Sequence, residues 1–166
     1  MQILVEVIFY CLLLLALIVL SVNDIRTHEI PPECICFIFL LGVIRLLADL
    51  ENWTGYMCGF FAVSTLLFVL WLVSSGRLIG GGDVKMMAVC GLVLGWKLIW
   101  IAFAVGCILG LLIHSVCMRI CNADKVLAMG PYFSVGVMSA ALCGNTYILP
   151  LIDKLADCLQ ISAILC

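Results

Sequence analysis

Charge is what this chain has least of: 11% of its 166 residues are Asp, Glu, Lys or Arg, against about a quarter in soluble domains. Beside 66% hydrophobic residues, that scarcity excludes a sizeable water-facing domain. The eight Lys and Arg are scattered singly and the net charge is −2, so a nucleic acid would find no basic footprint and is not expected as a partner. Histidine is limited to His28 and His114, and the eleven cysteines include no Cys-x-x-Cys pair, so no metal-ligand set is expected. Cys11, Cys58, Cys90, Cys107 and Cys143 sit within apolar runs, where cysteine packs as a small hydrophobe rather than as part of a disulfide framework.

Apolar sequence in long runs takes the place of the missing charge. At about 20 apolar residues per crossing, the chain has room for five or six short spans. The runs lie at 3–22, 35–47, 56–73, 84–94, 98–116 and 132–149, which predicts an all-α polytopic integral membrane protein with about six transmembrane helices, one membrane domain over 1–166. The first run lacks the basic start and small-residue cleavage site of a signal peptide, so it is expected to stay as a membrane helix. The polar segment 23–33, NDIRTHEIPPE, is expected to break the helix, because Pro31 and Pro32 lack backbone donors and push the preceding residue away from the α region. Trp53 and Tyr56 suit an interfacial position between the second and third spans. The fourth run is short, about 16 Å of helix for eleven residues. It is therefore expected to start near Leu78 and to cross with Asp83 slightly submerged, a re-entrant segment being the alternative. An apolar stripe at Leu155, Leu159 and Ile161 to Ile164 suggests that the tail, 153–166, lies on the membrane as an amphipathic helix.

Against this background Asp24, after the first run, and Asp83, at the end of Gly80-Gly81-Gly82-Asp83, stand out. A carboxylate near hydrocarbon costs several kcal/mol by order of magnitude unless something retains it, which makes each a functional candidate. Two expected crossings separate them, so both face the same compartment at similar depth. The positive-inside rule places that compartment in the cytoplasm: Arg26, Arg77, Lys85, Arg119 and Lys125 lie on that side, and Arg45, Lys97 and Lys154 on the other.

Two carboxyls held close cannot both ionise cheaply. One keeps a proton and polarises a carbonyl while the other activates water, which is enough to hydrolyse a peptide bond without a cofactor. Glycines at 80, 81 and 82 would let a substrate backbone approach the acid. Each residue also has a plainer role: Asp83 as a helix N-cap, Asp24 and the nearby Glu29 and Glu33 as solvated loop groups, Lys85 as a snorkelling cation and Arg26 as a topology-setting charge. Met86, Met87, Cys90 and Leu94 form a helix face that is either substrate contact or packing. Gly106 and Gly110 suggest a close helix contact, and His114 a hydrogen bond to a neighbouring helix.

The segment GGGDVKMM at 80–87 resembles the GxGDxK motif of the type IV prepilin peptidases, a group of GxGD membrane aspartic proteases. Asp24-Ile25-Arg26 followed by Ile30-Pro31 is similar to their first-aspartate motif, and Met129-Gly130-Pro131-Tyr132-Phe133 to the start of a late helix. The resemblance implies a membrane aspartic endopeptidase that cuts the short basic leader from prepilins or pseudopilins at the cytoplasmic face of the bacterial inner membrane, typically after a glycine, leaving a hydrophobic N-terminal helix. It makes Asp24 and Asp83 the catalytic pair and Gly80, Gly82, Lys85 and Arg26 supporting positions. The chain starts directly in its first span, and so looks like a short form without the N-terminal cytosolic Cys-x-x-Cys region that accompanies N-methylation in longer members. Glu29 and Glu33 are placed to attract a basic leader. Oligomeric state stays open, a homo-oligomer included. A second class, a small ion- or proton-coupled transporter using buried carboxylates, does not account for residues 80–85 and the Asp24 motif together.

Overall fold

In the computed structural model, residues 2–27, 29–76, 79–121 and 129–144 are described. They form six α-helices, α1 (Gln2–Thr27), α2 (Pro32–Ala48), α3 (Trp53–Val73), α4 (Gly81–Leu94), α5 (Trp96–Cys121) and α6 (Gly130–Cys143), with a single 3-10 turn at Leu50–Asn52 ahead of α3. Among the described residues, three stretches are long and apolar enough to cross a membrane: Leu4–Thr27, Leu50–Val73 and Trp96–Ile113. Their outward faces carry Leu4, Leu15, Phe61, Leu72, Leu111 and Leu112, all more than half exposed. An apolar surface of that extent belongs in lipid, and the protein is an all-α membrane protein.

Helix α1 does not stop at 22, as the polar segment suggests, but runs to Thr27. Residues 23–27 contain no breaker, and the side chains of Asn23 and Thr27 bond back to the helix: Asn23 Nδ2 donates to the Val19 carbonyl and Thr27 Oγ1 to the Asn23 carbonyl, each at 2.9 Å. The break lies between Thr27 and the prolines. Pro31 occupies the N-cap position of α2 and Pro32 its first helical position, where a missing N–H costs nothing. Asp24 thus belongs to the last turns of a rigid helix rather than to a loop. Helix α5 likewise absorbs the first residues of the expected loop 118–125, which contain no breaker. The rest of that loop with Lys125, the end of the expected sixth span at 145–149, the tail at 153–166 with Lys154, and His28 and Arg77 lie outside the described residues.

Helix α4 begins at Gly81, not near Leu78, and its fourteen residues rise only about 21 Å. It needs no lipid-facing length, because it is the centre of the bundle. Nine of its residues are buried, and it packs against α2, α3, α5 and α6. Met86, Met87 and Cys90 are wholly inside, which decides for packing over substrate contact. The α3–α4 seam is closed to backbone contact at Gly59 and Gly91: a Cβ on either would collide with the other's carbonyl oxygen. Only a residue without a side chain lets the helices approach so closely. The glycine pair in α5 serves an internal seam as well, with Gly106 against Phe133 and Gly110 against Tyr132 of α6.

At the end of the bundle away from Asp24 and Asp83, Arg45 pairs with Glu6 at 2.8 Å and lies over the Phe9 ring. Asp49 accepts from Asn52 and from the Tyr56 hydroxyl, and the Asn52 bond holds its carboxyl below the usual range.

Candidate active site

The loop before α2 and the start of α4 meet the end of α1 around a cavity of 540 Å³, lined by Asp24, Glu29, Ile30, Pro32, Ile35, Cys36, Gly80, Gly81, Gly82, Asp83 and Lys85. Asp24 and Asp83, on different helices, both border it and are 5% and 8% exposed. Gly80, Gly82 and Lys85 join them. Arg26 does not: it is exposed, two residues past Asp24 on α1, where the helical turn of about 100° per residue points it elsewhere.

The two carboxylates are held differently. Asp24 Oδ2 accepts a hydrogen bond from the Gly130 backbone N–H at 2.8 Å. That N–H belongs to the first turn of α6, where backbone donors have no intrahelical acceptor, and α6 has no side-chain cap of its own. Asp83 lies third in α4, after Gly80 at the N-cap position. Its carboxylate turns back toward the Gly80 backbone, while its Oδ1 is buried without a hydrogen-bond partner among the described residues. Capping alone therefore does not account for Asp83: one oxygen meets no donor among the described residues, at a cavity it shares with a second acid. A buried polar atom of this kind is costly in a purely structural site.

The glycines at 81 and 82 leave the mouth of the cavity short of side chains, and a Cβ on Gly82 would press on Ile30 at 3.1 Å. Ile30, Pro32, Ile35 and Cys36 give the cavity an apolar wall on the α2 side, with Glu29 and Lys85 as the charged groups at its edge. A shallower groove lined by Pro32, Glu33, Cys36, Phe37 and Leu40 continues from it along α2. Among the described residues no three His, Cys, Asp or Glu side chains are grouped as a metal-ligand set requires.

Gly130 is the site residue that sequence reasoning missed. It lay within the motif at 129–133, but a backbone N–H leaves no mark in a sequence. The available signal was Gly-Pro at a helix start, which leaves an uncapped N-terminus in need of a partner.

Two buried acids from different helices border one cavity in a lipid-facing bundle, which defines a polytopic membrane protein. Residues 11–115 match the type IV leader peptidase family, and the chain belongs to that family. The prepilin leader peptidase/N-methyltransferase of Bacillus subtilis (strain 168) is 31% identical over 135 residues, covering 80% of this chain and 54% of the relative. A protein of the same name from Stutzerimonas stutzeri is 26% identical over 142 residues, covering 81% and 49%. The chain thus spans about half the length of these curated relatives. No solved structure gives a significant match.

Proposed function

We propose that this chain is a membrane-embedded aspartic endopeptidase that removes the short basic leader of type IV prepilin-like proteins, with Asp24 and Asp83 as its catalytic pair. The observation that carries the reading is that two acids from α1 and α4 border one cavity, one of them with a buried oxygen that has no hydrogen-bond partner among the described residues. Family membership and the names of the relatives support the reaction and the substrate class.

The chemistry is that of a dyad sharing one proton. The ionised carboxylate takes a proton from water as the water oxygen attacks the scissile carbonyl carbon, and the protonated partner donates to the carbonyl oxygen. Collapse of the tetrahedral intermediate breaks the C–N bond, and a carboxyl proton passes to the leaving amine. The two acids titrate as a unit, so the roles belong to the pair. The bare glycines at 80–82 admit the substrate backbone, Glu29 draws the basic leader toward the cavity, and the apolar helix of the substrate lies along the lipid-facing side. The reading places the site at the cytoplasmic face of the bacterial inner membrane, on the positive-inside distribution of Lys and Arg.

Co-expression with a leader-bearing prepilin tests this reading. Wild type should convert the prepilin to the shorter mature form, and Asp24→Asn and Asp83→Asn should each leave it uncut. Conversion that persists with either variant overturns the assignment. Loss of ion flux with Asp83→Asn alone would point to a transporter instead.

A further inference from the structure

The start of α6 contacts Asp24 directly. Two polar rungs join α1 to α6. Ser21 and Asp24 are three residues apart on α1, and Gly130 and Ser134 four apart on α6, so each pair shares a helix face one turn apart. In the upper rung the Gly130 N–H donates to Asp24 Oδ2 at 2.8 Å. In the lower rung Ser21 Oγ lies 2.9 Å from Ser134 Oγ and 2.7 Å from the Leu17 carbonyl, and donates to either. Ser134 Oγ donates in turn to the Gly130 carbonyl at 2.8 Å. Gly130 is thus held at both ends of its backbone, by Asp24 at the N–H and by Ser134 at the carbonyl. Ser134 is 7% exposed, in surroundings where little water competes for such bonds.

We infer that Ser134, Gly130 and Ser21 are positioning residues for Asp24, and that the first turn of α6 is part of the acid site. The inference rests on the dyad reading above. Asp24 supplies the cap that α6 lacks, and α6 in return fixes one oxygen of Asp24, which borders the cavity. The serine rung sets the register of α1 on α6, so its loss lets the carboxylate turn without removing any group that touches the substrate. Hydrogen bonds between membrane helices are modest, and a loss of this size corresponds to about three- to twentyfold in kcat.

The test uses the full chain in detergent or liposomes, with a peptide carrying a basic leader, a glycine and an apolar segment as probe. Ser134→Ala and Ser134→Val should lower kcat about three- to twentyfold with KM unchanged, and Ser134→Thr should restore it. Thr and Val share a shape, so their difference reports the hydroxyl rather than packing. Equal kcat for Thr and Val, or wild-type kcat for Val, overturns the inference. If the Ser134 variants do not fold, Ser21→Ala decides: a lowered kcat at unchanged KM supports the inference, and wild-type kcat overturns it. Asp24→Asn and Asp83→Asn run alongside. If both abolish cleavage while the serine variants keep wild-type kcat, the positioning role alone fails. If either still cleaves, the dyad reading fails and this inference with it.

Discussion

Replacing Gly91 with alanine should damage this protein more than adding a single methyl group suggests. The new Cβ would meet the Gly59 carbonyl oxygen, the Gly59 carbonyl carbon at 2.6 Å and the Phe60 nitrogen at 3.1 Å. All three are backbone atoms, so no side-chain rotation relieves the overlap and α3 must move away from α4. Overpacking of this kind costs about 1–3 kcal/mol, and the upper end applies where backbone has to shift. Alanine returns up to about 1 kcal/mol through its better helix propensity, leaving a net loss of about 2 kcal/mol. For a chain of this size that is a fall of about 4–8 °C in melting temperature. Thermal unfolding in detergent, followed by circular dichroism, measures it. Gly55→Ala is the control, because its Cβ would lie 3.7 Å from the Trp96 ring in ordinary contact, and it should leave the melting temperature unchanged or slightly raised. Helix α4 also carries Asp83 about two turns before Gly91, so Gly91→Ala should lower cleavage as well. A Gly91→Ala protein as stable as the Gly55→Ala control would refute the close α3–α4 seam.

Two further outcomes follow from the site. In Gly130→Ala the Cβ would stand 2.6 Å from Asp24 Oδ2, displacing the carboxylate and breaking its bond to the Gly130 N–H. A hydrogen bond to a charged group contributes about 1.5–3 kcal/mol, so kcat/KM should fall about 10- to 150-fold. Gly110→Ala, in ordinary contact with Tyr132, should stay near wild type. Glu29→Gln with Glu33→Gln should raise KM for a basic-leader substrate several-fold at low salt, and the difference should fade as salt screens the attraction. A KM indifferent to both charge and salt would remove these acids from substrate capture.

Much of the architecture was legible in the sequence because membrane helices announce themselves as apolar runs, and because prolines and glycines mark where the chain turns. Helix ends were less so. The stretch Asn23 to Thr27 is mostly polar, and polarity reads as loop, but Asn23 and Thr27 bond back along α1 and the helix persists to Thr27. The shortness of α4 was visible, whereas its place at the bundle centre was not. Centrality arises from which helices surround it, and the apolar run at 84–94 reads the same whether lipid or protein covers it. For the site, the sequence separated Asp24 and Asp83 from ordinary surface acids through their apolar setting and the glycines beside Asp83. It could not show that Arg26 turns away from the cavity, which depends on helical phase once α1 is known to continue. Nor could it show the Gly130 N–H on Asp24, a contact made by backbone.

The most direct measurement of the central claim is the cleavage rate of a leader-bearing peptide by purified wild type, Asp24→Asn, Asp83→Asn and the double variant. Acids that act as one unit should each cost nearly the whole activity, with the double variant no worse than either single one. Appreciable cleavage by either single variant, or losses that multiply in the double, would contradict the account.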